Sequence, residues 1–189
     1  MPVRLIDGDV LDTDADALMH QTNVTTRHAK HMAGAVFDKW PGADTYSSGR
    51  RRTLGTVDVT FVCRSGGGPM DLPGLVPEGP GRTFAILNLN AQKGPGIPRP
   101  CMYAGDNKEN RLAWFRECLE HIKYNNPVLG FKTIAAPWRI GCGAAGGDWR
   151  VYFEVLRTWS VESGIDVLVY MKDLSLGDQA LSREFAALC

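Results

Sequence analysis

The sequence has no hydrophobic run long enough to cross a membrane and no excess of either charge. Its 189 residues contain 21 Lys and Arg against 21 Asp and Glu, so the formal net charge is zero. A membrane span needs roughly 18–20 consecutive apolar residues, and no segment approaches that length. The balanced charge excludes the global basic field that drives non-specific binding to nucleic acids. The opening MPVRLIDGDV carries acidic residues early. We therefore expect no signal peptide, no membrane partner and an intracellular protein, cytoplasmic or nuclear.

Cysteine pairs at metal-binding or disulfide-forming spacings are also missing. The five cysteines are an odd number, and no two of them are close in the sequence (Cys63, Cys101, Cys118, Cys142 and Cys189). This pattern argues against a zinc site and a disulfide scaffold, so we expect no metal ion. Unpaired thiols are typical of a reducing compartment.

The sequence does contain an alternation of short apolar runs, which predict strands, and segments with helical apolar spacing. The predicted strands are Val3–Ile6, Ala17–Gln21, Thr56–Val62, Thr83–Leu89, Thr133–Ala136 and Val167–Tyr170. The predicted helices are Met32–Trp40, one capped by Asp106 with Glu109 as its capping-box partner, one that starts near Trp149, and Ala180–Leu188. This order predicts one α/β domain over residues 1–189, a three-layer α/β/α sandwich with a central mixed, mostly parallel sheet. Two stretches rich in Gly and Pro, 65–82 and 91–105, are predicted to be surface loops.

The segment most informative about function is IGCGAAGGDW, at residues 140–149. Seven of its ten residues are Gly, Ala or Cys, and it lies between a predicted strand and a predicted helix. Small residues let a ligand approach the backbone, and consecutive N–H groups before a helix favour an anion such as phosphate. The segment matches neither a Walker loop nor a dinucleotide fingerprint. From these residues alone, a phosphate loop and a tight turn without a ligand stay equally open.

Taken with other motifs, this segment resembles the macrodomain family. The motifs are the run R-I-G-C-G, a Trp six residues after its second Gly, an opening L-I-D-G-D-V and a closing strand that ends in V-Y. The chain is most similar to the branch with the terminal ADP-ribose glycohydrolase and the yeast ADP-ribose-1''-phosphatase, and to stand-alone bacterial and phage macrodomains. The resemblance covers roughly residues 3–170, which leaves 171–189 as a helical C-terminal extension. It implies a macrodomain fold whose partner is ADP-ribose or an ADP-ribosylated protein or nucleic acid. We expect a monomer that uses no cofactor.

The resemblance also implies which residues contact the ligand. Asp9 matches an aspartate that accepts a hydrogen bond from the exocyclic amine of adenine, and His20–Asn23 matches the segment that lines the distal ribose. The first phosphate loop of the family is rich in glycine, whereas here the side chains of Arg27, Lys30 or His31 are expected to supplement the backbone donors. A solvated basic turn stays equally open for this segment. The expected ligand-binding residues are Gly8, Asp9, Val10, Gln21, Lys30, His31, Ile140, Gly141, Cys142, Gly143, Ala144, Ala145, Gly146, Gly147 and Tyr170. The loop at Lys93–Gly96 is a further candidate to line the cleft.

Two departures from the family pattern concern catalysis. Ala145 stands where the terminal glycohydrolase pattern has a catalytic aspartate, and Asn90 stands where it has a lysine. We therefore expect His20 and Asp148 to handle protons and Asn23 to hold the distal ribose. A structural histidine and a helix-capping aspartate are the alternatives for the first two residues.

The expected reaction is hydrolysis of an ADP-ribosyl linkage by attack of water on the anomeric carbon. One alternative is a phosphatase that acts on ADP-ribose 1''-phosphate through His20, and another is a non-catalytic reader of ADP-ribose. Of the remaining features, Arg50–Arg52 is interpreted as a solvated patch, and the five tryptophans are expected mainly in the core.

Overall fold

The computed structural model describes residues 2–64 and 83–188, in which six strands and four helices occur. In chain order they are β1 (Val3–Asp7), β2 (Ala17–Asn23), α1 (His31–Lys39), β3 (Val57–Cys63), β4 (Thr83–Gln92), α2 (Lys108–Leu129), β5 (Thr133–Pro137), α3 (Trp149–Ser163), β6 (Asp166–Met171) and α4 (Leu176–Ala186). Short 3-10 helices lie at Val10–Asp12 and Pro41–Ala43. Among the described residues, none of the helices has the length and hydropathy that crossing a membrane requires. The predicted loop at 65–82 lies outside the described residues.

The strands form one mixed sheet in the order β1-β6-β5-β2-β4-β3. Every neighbouring pair is parallel except β3 and β4, which are antiparallel. The five parallel strands consequently end at the same edge of the sheet, and the loops that follow them meet there. The predicted α/β class and the mostly parallel sheet are confirmed.

Both faces of the sheet are covered by helices, as the apolar run in β4 predicts. Every side chain from Phe84 to Gln92 is buried. Leu87 and Leu89 of β4 belong to the cluster that contains Phe115 of α2 and Phe153 of α3. The opposite face of β4 packs in a second cluster against α1. Two hydrophobic layers therefore hold the sheet rigidly beneath the loops at its edge.

Several elements extend further than predicted because polar side chains lie inside them. β2 runs on to Asn23 and β4 to Gln92, since buried partners satisfy the polar groups there. α4 begins at Leu176 rather than Ala180, because the Ser175 hydroxyl accepts from the amide of Asp178 at 3.1 Å and caps the helix.

The residue that caps the start of α2 differs from the predicted one. Asn107, not Asp106, is the N-cap residue, and its side-chain oxygen accepts from the amide of Asn110 at 2.7 Å. The predicted capping role of Asp106 is wrong because its buried carboxylate is bound to Arg111 instead.

The tryptophans lie largely where they were expected. Trp40, Trp149 and Trp159 are buried, and Trp114 and Trp138 are partly buried against the core.

Candidate functional site

The candidate site lies at the carboxyl edge of the sheet, where the loops after the five parallel strands converge. β6 is the neighbour of both β1 and β5, with Tyr170 opposite Ile6 and Pro137. The amide of Gly8 continues this pairing by donating to the carbonyl of Met171 at 3.0 Å. Sheet topology thus brings the start of the chain, the segment from 138 to 148 and the end of β6 to one edge. Within the described ranges, no cluster of His, Cys, Asp or Glu side chains could hold a metal ion.

We call residues 141–147 the glycine loop, and its shape depends on glycine at two positions. Gly141 has a φ of +74°, and a Cβ there would lie 2.5 Å from Oε1 of Gln21. A Cβ on Gly147 would lie 2.6 Å from the carbonyl oxygen of Gly141, to which the Gly147 amide donates at 3.1 Å. Larger residues would clash at both positions, so the composition of this segment is a steric requirement.

The crest of the glycine loop presents backbone donors to solvent. In the described part of the chain, the amides of Gly143, Ala144 and Ala145 donate to no protein group. Gly143 and Ala144 are exposed, and the space around Gly143 is open. Because α3 begins at Trp149, these donors lie just before a helix N-terminus, which favours a bound anion.

The Gln21 side chain lies behind the glycine loop and is poorly satisfied. Both its Nε2 and its Oε1 are buried, and neither atom has a hydrogen-bond partner within residues 2–64 and 83–188. Leaving a buried amide without partners costs about 1–3 kcal/mol per group.

Asp9 follows β1 and carries a fixed, ionised carboxylate. Its Oδ1 accepts from the amide of Leu11 at 3.0 Å, and its Oδ2 accepts from Nζ of Lys172 at 2.6 Å. Burial raises the pKa of this carboxyl, but the bonds from Lys172 and the Leu11 amide outweigh burial, so its pKa lies below the ordinary value. Asp9 is therefore a permanent hydrogen-bond acceptor at the edge of the sheet.

Asn23 builds the turn between β2 and α1. Its Oδ1 accepts from the amides of Thr25 and Thr26 at 3.1 and 2.8 Å, and its Nδ2 donates to the hydroxyl of Tyr46 at 3.0 Å. The side chain is buried, and both ends of its amide are used by the turn. Asn23 therefore stabilises the turn, and its amide has no free end with which to hold a sugar.

Arg52 binds the same turn, so the interpretation of Arg50–Arg52 as a solvated patch is wrong for this residue. Its guanidinium donates to the carbonyl of Asn23 at 2.9 Å and to that of Thr26 at 2.6 Å. It also lies 4.4 Å from the ring of Tyr46. Arg50 and Arg51 are exposed, as expected, and so are Lys30 and His31.

His20 lies inside β2 and not at the exposed edge of the sheet. Its side chain is fully buried, and its Nε2 donates to Oδ1 of Asn88 at 2.6 Å. Burial lowers the pKa of the imidazole from 6.5 to about 4, although the bond to Asn88 raises it slightly. The ring is therefore neutral near pH 7 and has no route to solvent, so the geometry does not support proton transfer by His20.

Asp148 is the N-cap of α3 and is exposed. Its Oδ1 accepts from the amide of Arg150 at 3.0 Å, which is the predicted capping bond. Nothing in the described structure binds its Oδ2. Of the two residues expected to handle protons, Asp148 alone presents a polar atom to solvent beside the glycine loop.

The other polar groups around the loop are occupied or unreactive. Asn90 is buried and bound to Thr22 and Asp58, and Nζ of Lys93 donates to the carbonyl of Ala104 at 2.6 Å. Cys142 is buried, and that burial raises the pKa of its thiol to about 12. Tyr170 accepts from the hydroxyl of Thr13 at 3.0 Å.

Sequence reasoning missed the ion pair of Asp106 and Arg111, which supports the glycine loop from beneath. Nη1 of Arg111 donates to the carbonyl of Ala145 at 3.0 Å. The signal that could have revealed it is an acid and an arginine on either side of a helix start, with the arginine on the apolar face.

Comparison with known proteins shows that the chain has the macrodomain fold. No protein-family model and no curated protein matches the sequence. Among solved structures, the macrodomain of Mycobacterium tuberculosis DarG is 20% identical, with a TM-score of 0.62 over 89% of this chain and 96% of that one. Thermosipho africanus DarTG in complex with ADP-ribose is 17% identical, with a TM-score of 0.66 over 98% of this chain and 46% of that one. The Trypanosoma brucei macrodomain in complex with ADP-ribose is 15% identical, with a TM-score of 0.56 over 98% and 69%.

Proposed function

We propose that this protein binds ADP-ribose at the carboxyl edge of its sheet. The observation that carries the proposal is the exposed crest of the glycine loop, where three consecutive amides donate to no group of the described residues. In a macrodomain fold, that crest is suited to a pyrophosphate. Two of the structural neighbours are described as complexes with ADP-ribose, which supports this choice of ligand.

The surrounding residues suit the remaining parts of the ligand. The ionised carboxylate of Asp9 can accept from the exocyclic amine of adenine, as the family resemblance implies. The amide of Gln21 lies next to Gly141 and has no partner among the described residues. The family resemblance implies that it lines the distal ribose, and a change of its rotamer would be needed to expose it to that sugar. Exposed Lys30 and His31 at the start of α1 can add side-chain donors for the phosphates.

Calorimetric titration of ADP-ribose into the wild-type protein and the Asp9→Asn variant tests this binding. The asparagine oxygen can still cap the 3-10 helix at Leu11, so the substitution chiefly removes the ionised acceptor. Loss of a charge-assisted hydrogen bond of about 1.5–3 kcal/mol predicts a Kd roughly ten- to a hundred-fold higher. Asp12→Asn is the matched control, because it neutralises a nearby exposed acid that pairs with Lys39. Absence of saturable binding to the wild-type protein would overturn the proposal.

Hydrolysis of ADP-ribosyl linkages is the second candidate function, and the free carboxylate oxygen of Asp148 favours it. Asp148 directly follows the glycine loop and could act as a general base for water. The water oxygen would bond to the anomeric carbon as the bond to the modified group breaks, and the proton would pass through Asp148 to the leaving group. The phosphatase alternative depended on His20, whose burial leaves it without support.

The Asp148→Asn variant separates capping from catalysis, because asparagine caps helices as well as aspartate does. We expect unchanged melting temperature and ADP-ribose affinity, with release of ADP-ribose from a modified protein or oligonucleotide slowed at least about 100-fold. Equal turnover by both proteins would exclude the role of Asp148. A wild-type protein that binds ADP-ribose without turnover is a reader, which the presence of Ala145 and Asn90 at the family's catalytic positions favours.

A further inference from the structure

The pair of Asp106 and Arg111 is the most deeply buried ion pair in the described structure. The side chain of Asp106 is 0% exposed and that of Arg111 is 2% exposed. The two are joined by parallel bonds of 2.7 Å, from Nε to Oδ1 and from Nη2 to Oδ2. This bidentate geometry is specific to arginine and a carboxylate.

The remaining donors of Arg111 reach two different loops. Nη2 donates to the carbonyl of Gly94 at 3.1 Å, and Nη1 donates to those of Gly96 at 2.5 Å and Ala145 at 3.0 Å. All five N–H groups of the guanidinium are therefore satisfied. Gly94 and Gly96 lie on the loop between β4 and α2, whereas Ala145 lies on the glycine loop. One side chain thus ties two rims of the site together.

The same two loops also touch directly. A Cβ on Gly146 would lie 3.2 Å from Cγ2 of Ile97, so the backbone of the glycine loop packs against Ile97. The carboxylate of Asp106 also accepts from the amide of Gly94 at 3.3 Å. The loop between β4 and α2 is therefore part of the support of the glycine loop.

A buried ion pair is an unusual choice for stability alone, because desolvation offsets much of the attraction between the charges. A role in orienting a particular backbone group explains the presence of this ion pair better. By donating to the carbonyl of Ala145, Arg111 holds that oxygen toward the protein interior. A carbonyl oxygen turned outward would present negative charge to an anion beside the amides of Gly143, Ala144 and Ala145, so the bond to Arg111 prevents that repulsion.

We propose that Arg111, anchored by Asp106, is the positioning residue that keeps the glycine loop in its anion-binding shape. The proposal deepens the proposed function and rests on it for the identity of the ligand. Arg111 does not itself contact the ligand, because it acts through the carbonyl of Ala145.

The test compares three variants with the wild-type protein. Arg111→Met alone leaves an unpaired buried carboxylate and is expected to unfold more readily. The double variant Arg111→Met with Asp106→Asn removes both charges and retains an acceptor for Gly94. Arg111→Lys keeps the charge without the planar fork, so it cannot make all of these bonds together. Arg116→Met is the matched control, because Arg116 is exposed on the same helix.

Binding is measured with ADP-ribose and with adenosine, which lacks the phosphates. We expect the folded double variant to bind ADP-ribose at least tenfold more weakly and adenosine with unchanged affinity, and Arg111→Lys to lie between. Equal loss of affinity for both ligands would indicate general destabilisation and overturn the proposal. So would unchanged ADP-ribose affinity in the folded double variant.

A measurement on the ligand-free protein tests the role of Arg111 separately from the proposed binding of ADP-ribose. Backbone ¹⁵N relaxation of Gly143–Gly147 is expected to show rigid amides in the wild-type protein and in Arg116→Met. In the double variant and in Arg111→Lys the order parameters should fall below about 0.6. If the wild-type protein binds no ADP-ribose, the proposed function fails while this readout still decides the role of Arg111. Loop amides that stay rigid in both the double variant and Arg111→Lys would contradict the positioning role of Arg111.

Discussion

His20 has a buried imidazole that belongs to the structure of the sheet. Its Nε2 donates to Asn88, whose Nδ2 in turn donates to the carbonyl of Ala43 at 3.1 Å. The ring packs edge-to-face on Phe37, with the ring centroids 5.4 Å apart. These contacts join β2, β4 and the segment after α1, so the side chain stabilises the layer beneath the candidate site.

The neutral, buried state of His20 predicts a loss of stability in acid. Its pKa is about 4 in the folded protein against 6.5 in the unfolded chain, so unfolding takes up a proton between those values. The free energy of unfolding should therefore fall as pH falls from 6.5 to 4, by about 3 kcal/mol from this residue. Urea unfolding of wild-type and His20→Gln proteins across this range measures it.

The glutamine variant keeps a donor for Asn88 and cannot titrate, so its loss of stability in acid should be smaller by that amount. His121→Gln, at an exposed position of α2, should behave like the wild-type protein. An identical acid dependence in the wild-type and His20→Gln proteins would contradict the assignment.

At the level of single residues, the sequence predicted what depends on local chemistry. The glycine loop was recognisable because steric crowding requires small residues that are adjacent in the chain. A structural role for His20 was one of the alternatives, but its partner Asn88 is far away in the sequence and could not be identified. For Asn23, the bonds from Thr25 and Thr26 are local, whereas the bond to Tyr46 is not. The capping of α3 by Asp148 was predicted because an N-cap side chain and the amide that donates to it are neighbours in the sequence.

At the scale of elements, α4 is joined to the segment that leads into the glycine loop. Oδ1 of Asp178 accepts from Nε1 of Trp138 at 3.1 Å and from Nη1 of Arg139 at 3.2 Å. Arg139 has a φ of +56°, in the left-handed region that non-glycine residues seldom adopt. Phe185 of α4 is buried against Trp149, at the start of α3. The C-terminal helix therefore helps to hold Arg139 in its strained conformation.

The Asp178→Ala variant tests this contact. Loss of these two bonds, together with the bond that the Ser175 hydroxyl donates to Oδ2, should lower the free energy of unfolding by about 1–3 kcal/mol. This is a fall of several degrees in Tm. ADP-ribose affinity should fall several-fold, because the entry to the glycine loop loosens. Arg183→Ala, an exposed change on the same helix, should alter neither quantity. Full affinity in Asp178→Ala would show that α4 does not influence the loop.

The elements themselves were predicted in number and type over the described residues, whereas their ends were not. Apolar periodicity identifies a strand only while its side chains are apolar. β2 and β4 end in polar residues that are satisfied by one another, such as Thr22, whose hydroxyl donates to Asn90 at 3.0 Å. The start of α2 was misassigned because either Asp106 or Asn107 could cap it, and only burial of the pair with Arg111 decides between them.

At the scale of the molecule, strand order determines which loops become neighbours. β1 and β6 are adjacent although most of the chain lies between them, and this adjacency places Lys172 on Asp9. The alternation of strands and helices predicted the fold class, but local patterns carry no information on the order β1-β6-β5-β2-β4-β3. The resemblance to macrodomains supplied the expected ligand, and the topology accounts for how distant residues form one edge.

A crystal structure of this protein with ADP-ribose directly tests whether the glycine loop binds the pyrophosphate. We expect pyrophosphate oxygens within about 2.7–3.2 Å of the amides of Gly143, Ala144 and Ala145. We also expect the exocyclic amine of adenine at the carboxylate of Asp9. A pyrophosphate bound away from the glycine loop, or crystals that stay free of ligand at saturating ADP-ribose, would contradict this expectation.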